Sequence, residues 1–392
     1  MADHARYSPS KLTRIVTCPG SVDATLDKEQ RQTDVADEGT MLHSVTSYSL
    51  DSSDTTVSER AIKKFNLKEK EHIDAVQDCL DWVSGIKLKY AGEEWFEGVE
   101  HRVSLAPYVA KTACDELVDV EGTMDYSLAF PSLGILYVVD WKFGKGVEVY
   151  PDCEQLFAYA LGRLATITDW KRYTEIVLVI GQPRLYNGEC FKEHHTTAQE
   201  LFAWLKEALI PALINSQSKH PKFNPSSKGC MWCAIKATCV HRHAAATAIA
   251  CKAFEVFVKL PNEITMEELA EFLDGVPQLE TYLSDIQKFA THLIQNGTDI
   301  PGYKMVAGRS TRKWLNEEYA KEYLAANDVD AFEIKFRSPA QVEKVLGKKN
   351  MTEDILKLIH KPEGSPTLVK ATDKRPALSF TSVTDKFKEF VE

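Results

Sequence analysis

Residues 120–146 read VEGTMDYSLAFPSLGILYVVDWKFGKG, and this stretch decides the fold. It belongs to two runs of strand-forming residues, 117–130 and 135–143, which are separated by Pro131-Ser132-Leu133-Gly134. Proline and glycine at such a junction are typical of a turn, and the aromatic and β-branched residues on both sides favour strands. The stretch therefore predicts a β-hairpin with a four-residue loop.

Two aspartates face each other if Phe130 pairs with Ile135 across this loop. In that register Asp125 lies opposite Asp140 with Cβ atoms roughly 5 Å apart, and like charges so placed destabilise a sheet unless a cation neutralises them. Lys142 shares the face of Asp140, because side chains alternate along a strand. Carboxylate oxygens suit Mg²⁺ or Mn²⁺, so the hairpin predicts a divalent-metal site. A shift of one residue would separate the aspartates, and a solvated face with an Asp140–Lys142 ion pair is the alternative.

The neighbouring segments extend the hairpin into an α/β pattern. Residues 95–105 alternate as a strand, 151–165 have the apolar stripe of a helix, and EIVLVIG at 175–181 is typical of a strand covered on both faces. We expect a mixed sheet flanked by helices, with a helical and α+β C-terminal extension. Further helices are predicted over residues 8–20, 37–50, 58–90 with a break near Asn66, 197–215 and, as two or three helices, 241–296. The expected domains are a core at 1–240, a helical extension at 241–300 and a small α+β region at 301–392.

Composition narrows the class of protein. The formal charge is −10, which argues against coating nucleic acid through bulk charge but permits a local basic groove. No apolar run approaches the roughly 18 residues that a membrane helix needs, and residues 1–30 lack the apolar core of a signal peptide. We therefore expect a cytoplasmic protein without membrane contact, and in that compartment its nine cysteines are reduced.

Three of the cysteines have the spacing of metal ligands. Cys230, Cys233 and Cys239 form a C-x2-C-x5-C cluster in GCMWCAIKATC. A fourth ligand is required, and Cys18 is the candidate because it ends a predicted helix at Cys18-Pro19-Gly20. A local zinc site of three cysteines and either His241 or His243 remains the alternative.

These residues together resemble a known superfamily. Asp125, followed by Asp140-Trp141-Lys142, looks like the catalytic signature of the PD-(D/E)XK nucleases. Gln155 and Tyr159 resemble the Q-x3-Y motif of their RecB-like branch, and EGTMLH at 38–43 resembles its first motif. The cysteine distribution is similar to that of the iron-sulfur members, such as the AddB-type and CRISPR-associated RecB-like nucleases. The SPS…CPGS opening and the late KPEG…DKRP segment resemble a phage-encoded, formerly uncharacterised family of this kind.

The resemblance implies a PD-(D/E)XK, or restriction-endonuclease-like, core and a role for each matching residue. Two positions depart from the pattern, since Thr123-Met124-Asp125 lacks the proline and Asp140 replaces the common glutamate. Two roles remain open for Glu100, that of an extra acidic ligand and that of a surface strand residue. The implied catalytic residues are Asp125, Asp140, Lys142, Gln155 and Tyr159. The implied ligands of Mg²⁺ or Mn²⁺ are His43, Asp125 and Asp140. The implied ligands of a structural 4Fe-4S cluster, with Zn²⁺ as the alternative, are Cys18, Cys230, Cys233 and Cys239.

The expected function is metal-dependent hydrolysis of DNA, as an exonuclease in phage replication or recombination. DNA ends or single strands are the expected partners. Because the sequence contains no G-x4-G-K-[ST] phosphate loop, any unwinding is expected to come from a separate helicase or recombination protein. The alternatives are a non-catalytic DNA-end-binding or assembly module and a zinc-stabilised virion protein. Candidate phosphate contacts are Lys145, Arg184, Lys228, Lys236, Arg309, Arg312, Lys313 and Trp314.

Overall fold

A computed structural model describes residues 6–26, 28, 34–109, 119–185, 188–257, 263–306, 317–326, 339, 341–342 and 351–359. Within these residues five strands form one sheet in the order β1-β2-β3-β4-β5. The strands are β1 (Phe96–Ser104), β2 (Glu121–Phe130), β3 (Ile135–Trp141), β4 (Glu175–Gly181) and β5 (Phe191–Thr196). β3 and β4 are parallel and the other neighbours are antiparallel, so the sheet is mixed as predicted.

The helices surround this sheet in the first part of the chain and continue beyond it. They are α1 (Leu12–Thr17), α2 (Ser21–Ala24), α3 (Asp34–Asp51), α4 (Glu59–Phe65), α5 (Lys70–Lys89), α6 (Ala106–Val109), α7 (Glu154–Ala165), α8 (Ala198–Trp204), α9 (Ile210–Ser216), α10 (Ser227–Cys230), α11 (Val240–Phe257), α12 (Met266–Gln295), α13 (Glu317–Ala326) and α14 (Glu353–Lys357). A π-helical turn, Leu205–Leu209, joins α8 to α9. Asn66 takes a left-handed conformation, φ 51°, and ends α4 at the predicted break.

The hairpin has the predicted register. Phe130 pairs with Ile135, and the ladder continues to Tyr126 and Val139. Gly134 closes the loop with φ +67°, and a Cβ there would lie 2.6 Å from the carbonyl oxygen of Arg172. Glycine is therefore required at this position for both conformation and space.

Two apolar layers cover the sheet, one on each face. On one face Val138 of β3 packs in a buried cluster with Leu161 of α7. On the other face Val139 packs with Leu42 of α3 and Leu80 of α5. Alternation along β3 thus sends neighbouring residues into different layers, which confirms an α/β fold with helices on both sides of the sheet.

The sheet forks at one end. β2 and β3 pair only as far as Tyr126 and Val139. Beyond that point β2 continues against β1 as far as Glu121, whereas β3 continues against β4 as far as Trp141. Asp125 and Asp140 are the next residue on each strand, so both lie where the two halves of the sheet separate.

The chain divides into two compact units, Met1–Val306 and Ala307–Glu392. The sheet and α1–α12 belong to the first unit, and the described parts of the second contain α13 and α14. The KPEG…DKRP segment and the basic run at 309–314 lie outside the described residues. In the described part of the chain, no helix combines the length and the apolar character that a membrane crossing requires.

Candidate metal centre and catalytic network

Strand pairing is interrupted on both sides of Asp125. The β1–β2 ladder passes from Val99↔Tyr126 to His101↔Met124 and omits the position of Glu100, whose backbone is left-handed with φ 46°. Positive φ is unfavourable for a non-glycine residue, and such strain concentrates at functional sites. The distortion therefore marks the fork as the candidate site.

The Asp125 side chain takes the place of a strand partner at this point. Its Oδ2 accepts a hydrogen bond from the main-chain N–H of Trp141, with an N–O distance of 2.7 Å. This bond ties β2 to β3 across the fork and fixes the carboxylate. Asp125 consequently lies at the junction of the two apolar layers and can approach residues from both.

Three side chains form a group that fits a metal ion. One ligand atom each from His43, Glu100 and Asp125 lies within 4.8 Å of the others, and His43 Nδ1 is 3.4 Å from Asp125 Oδ2. Two carboxylates and one imidazole suit Mn²⁺ or Mg²⁺. Glu100, which the sequence left open, thus joins the predicted ligands His43 and Asp125.

The electrostatics of this group favour a cation. Burial lowers the pKa of His43 to about 4, so its imidazole is neutral and able to coordinate at neutral pH. Burial and the nearby Asp140 carboxylate raise the pKa of Asp125, while burial and Asp51 raise the pKa of Glu100. Both carboxylates are therefore held in surroundings that disfavour their charge unless a cation compensates it.

Asp140 lies in an adjoining hydrogen-bond network rather than in the three-residue group. Its Oδ2 is 2.6 Å from Lys142 Nζ, and its Oδ1 accepts a hydrogen bond of 2.8 Å from Gln155 Nε2. Gln155 Nε2 also donates to the Tyr159 hydroxyl, and Lys142 Nζ donates to Gln155 Oε1, each at 3.4 Å. All five residues of the predicted catalytic set, including Asp125, therefore surround the fork.

A main-chain hydrogen bond and a helix spacing position the side chains of this network. The Lys142 N–H donates to the Gly181 carbonyl at 2.8 Å, which extends the parallel pairing of β3 with β4 by one residue. Gln155 and Tyr159 are four residues apart on α7 and therefore share one helix face.

The electrostatics of the network keep both polar groups protonated. Burial disfavours the charged form of Lys142, but the Asp140 carboxylate outweighs this effect and raises the pKa of Lys142. Burial also raises the pKa of Tyr159, which keeps its hydroxyl protonated.

The first residue of α7, Glu154, links the network to the cysteine region. Its carboxylate accepts hydrogen bonds from Thr13 Oγ1 of α1 at 2.7 Å and from Lys228 Nζ of α10 at 3.0 Å. Its sequence context does not predict this role, apart from its place beside Gln155. A carboxylate is also favourable at a helix N-terminus. Glu154 therefore anchors both segments at the start of the helix that carries Gln155.

The four predicted cysteine ligands belong to segments that the fold brings together. Asn224 N–H donates to Cys18 Sγ at 3.3 Å, and Gly20 N–H donates to the Lys222 carbonyl at 2.9 Å. Burial raises the pKa of Cys18, and the nearby thiols of Cys230 and Cys239 add to this effect. Cys233 has its pKa raised in the same way, by burial and by those same two thiols.

The two histidines of the alternative site have other contacts. His241 stacks on Phe223 with ring centroids 4.0 Å apart, and His243 Nδ1 is 2.8 Å from the Tyr282 hydroxyl. Cys18 as the fourth ligand stays a prediction.

Arg184, one of the candidate phosphate contacts, differs from expectation. Arg184 is buried and forms salt bridges with Glu38 and Glu71, because the α3 and α5 helices cover it. Lys145 pairs with the same Glu71. Arg184 is therefore a structural cation, and its prediction as a phosphate contact is wrong.

Fold and site together define an α/β protein with a carboxylate–histidine group and an Asp–Lys pair at a fork in its mixed sheet. Over residues 4–376 the chain matches the model of the family described as Protein of unknown function (DUF2800). The match covers most of the chain, which therefore belongs to that family.

Proposed function

We propose that this protein is a metal-dependent deoxyribonuclease with a PD-(D/E)XK core of the RecB-like, iron-sulfur type. The observation that carries the proposal is the convergence at one fork of His43, Glu100 and Asp125 with the Asp140–Lys142 pair. The motif spacing predicted His43 and Asp125 as ligands, whereas Asp140, the third predicted ligand, lies outside the three-residue group and Glu100 joins it.

His43, Glu100 and Asp125 would hold the divalent cation, with Asp140 completing the acidic set from the adjoining network. When bound there, such an ion would supply Lewis-acid chemistry, polarising a phosphoryl oxygen and lowering the pKa of a water molecule. The donor set fits such an ion, because burial and mutual repulsion leave the Asp125 carboxylate in need of positive charge. The imidazole of His43 is neutral and supplies a lone pair.

Lys142 has a different role, since an ammonium donates hydrogen bonds and cannot coordinate a cation. Held by Asp140 and Gln155, it is positioned to stabilise negative charge that develops on the phosphoryl group. Gln155 keeps the Asp140 carboxylate oriented through its 2.8 Å hydrogen bond. Tyr159 stays protonated and adds a hydroxyl donor beside Gln155.

Cys18, Cys230, Cys233 and Cys239 would bind a structural 4Fe-4S cluster, or Zn²⁺ as the alternative. Four thiolates suit either metal. Cys18 and Cys230, as ligands of one such group, would link the N-terminal segment to α10, and such a long-range crosslink would stabilise the folded state. Activity as an exonuclease in phage recombination, in the host cytoplasm and with a helicase as partner, belongs to the same proposal.

The test is digestion of end-labelled linear duplex, circular duplex and single-stranded DNA in Mn²⁺, Mg²⁺ or EDTA. We expect cleavage only with a divalent cation, and none by the Asp140→Asn variant. Linear substrates should be shortened while circles survive if the enzyme is an exonuclease. DNA binding without hydrolysis in either metal would favour the non-catalytic end-binding module instead.

A further inference from the structure

An open groove of about 1160 Å³ lies beside the cysteine segment. Three separate parts of the chain line it. Lys11 and Lys28 flank α1 and α2, the turn after Cys230 contributes Trp232 and Lys236, and the last turns of α12 contribute Lys288. Because the walls of this groove come from distant segments, no local sequence pattern predicts it.

The lining of the groove is positively charged, whereas the chain as a whole is negatively charged. Four lysines line it, and among its described lining residues Asp285 is the one carboxylate. Asp285 is already compensated, since its oxygens lie 2.7 Å from Arg242 and 3.1 Å from Lys236. The whole chain has a formal charge of −10, so this local excess of positive charge favours a polyanion.

Trp232 gives the groove an aromatic surface. Its side chain is 70% exposed, which is unusual for a large apolar ring in a held turn. The turn is fixed by a hydrogen bond of 3.1 Å from the Cys233 N–H to the Cys230 carbonyl and by one of 2.9 Å from Lys236 Nζ to the Met231 carbonyl. A ring held in place beside lysines is the arrangement on which single-strand binders stack bases.

One wall of the groove leads toward the catalytic network. Lys11 ends a 3-10 turn that begins at Pro9, and Pro9 lies so close to Gly122 of β2 that a Cβ there would be 2.8 Å from the proline ring. The same Cβ position is 3.6 Å from the Tyr159 ring. The segment that carries Lys11 therefore packs, through the buried Pro9, against β2 and α7, the strand and helix that carry Asp125, Gln155 and Tyr159.

We propose that this groove binds single-stranded DNA, with a base stacked on Trp232 and the lysines on its phosphates. The inference rests on the proposed function and extends it by naming single-stranded DNA as the form that the enzyme holds. Bases in a duplex are already stacked on one another, so an exposed ring favours the single strand.

Binding is tested without cleavage, by fluorescence anisotropy, with the full-length Asp140→Asn protein whose cysteine-bound metal is intact; EDTA removes the Mn²⁺ or Mg²⁺ that cleavage requires. The probe is a labelled oligothymidylate of about 20 nucleotides, longer than the roughly 4–16 nucleotides that single-strand grooves commonly bind. Trp232→Ala should weaken binding about fivefold or more, and Trp232→Phe should restore most of it. Lys288→Glu should weaken binding and reduce the slope of the salt dependence by about 0.7 for each phosphate that is no longer neutralised.

Matched controls are Trp95→Ala, another exposed tryptophan, and Lys63→Glu, an exposed lysine on α4 across the sheet. Equal metal content of each variant and its parent shows that the cysteine turn is intact. Binding by Trp232→Ala within about twofold of the parent, equal loss in Trp95→Ala, or tighter groove-dependent binding of duplex would overturn the proposal. Groove-dependent binding by a protein that never hydrolyses DNA would refute the nuclease alone, whereas hydrolysis with unchanged Trp232→Ala binding would refute the groove alone.

Discussion

Substituting the two aspartates at the fork should change stability in opposite directions. Asp125 faces unfavourable burial and the Asp140 charge, whereas Asp140 is paired with Lys142. Asp125→Asn removes a repelled charge but keeps an oxygen that accepts the Trp141 N–H. Asp140→Asn removes one partner of an ion pair. In EDTA the first variant should therefore be more stable than the parent and the second less stable.

The magnitudes follow from these contacts. Relief of repulsion between neighbouring like charges on adjacent strands is worth about 0.2–1 kcal/mol, so the unfolding free energy of Asp125→Asn should rise by about that much. A hydrogen bond to a charged group contributes about 1.5–3 kcal/mol. Because the Lys142 side chain is 30% exposed, the unfolding free energy of Asp140→Asn should fall by an amount near the lower end of that range.

The stabilisation that Mn²⁺ gives should distinguish the parent from both variants. At about a hundred times its dissociation constant, a bound ion stabilises the folded parent by about 2.7 kcal/mol. At ~2–4 °C for each kcal/mol, this corresponds to a rise of about 5–11 °C in the unfolding temperature. Both variants should lose most of this rise together with DNA hydrolysis, because each removes a carboxylate from the site.

The assay is urea and thermal unfolding, followed by tryptophan fluorescence, in EDTA and in Mn²⁺. Asp169→Asn is the matched control, since its carboxylate is 72% exposed and lies 3.7 Å from Arg172 on the surface. This control should change stability by less than about 0.5 kcal/mol. An Asp125→Asn protein that is less stable than the parent in EDTA, or that keeps the full Mn²⁺ response, would refute the reasoning.

Three further perturbations test other parts of the site. Lys142→Ala should lower turnover about 10²–10³-fold with Mn²⁺ affinity retained, because an ammonium acts on developing charge; calorimetry showing that Mn²⁺ no longer binds would contradict this role. Cys18→Ala should lose the brown colour and iron of the anaerobic protein, unfold at a lower temperature and release the N-terminal segment to protease; retained metal and protease resistance would point to a local site with His241 or His243. The side-chain hydrogen bond from Arg184 lowers the pKa of Glu38 from its usual 4.5 to about 2, so its stabilisation is full above pH 4.5 and is lost as the pH falls through about 2. The difference in unfolding free energy between the parent and Glu38→Gln should therefore become smaller as the pH is lowered from 4.5 to about 2. A difference that does not change with pH would show that the Glu38–Arg184 ion pair is not its cause.

The hairpin and its register were predictable because their signals are local. Gly134 and its loop fix which residues of β2 and β3 face each other, and the apolar alternation fixes the faces. The Asn66 break and the bounds of β4 followed from equally short patterns. In each case the deciding contacts join residues near one another in the chain.

Glu100 shows where such reasoning stops. Its sequence context is an ordinary strand, and its left-handed backbone coincides with the interrupted strand pairing beside Asp125. Arg184 likewise has the composition of a surface cation, yet two helices from distant parts of the chain supply its carboxylate partners. Neither surrounding can be derived from local periodicity.

The sequence by itself determined the mixed α/β sheet, the hairpin register as far as Tyr126 and Val139, and the helix face that carries Gln155 and Tyr159, since turn chemistry and periodicity act over a few residues. The predicted pairing of Asp125 with Asp140 is not formed, because the two strands separate at these residues. Only the tertiary structure decided that Glu100 joins His43 and Asp125, and that Asp140 is held by Lys142 and Gln155. It also decided the basic groove around Trp232. These arrangements depend on how helices pack against a forked sheet, and packing brings together residues that no spacing along the chain relates.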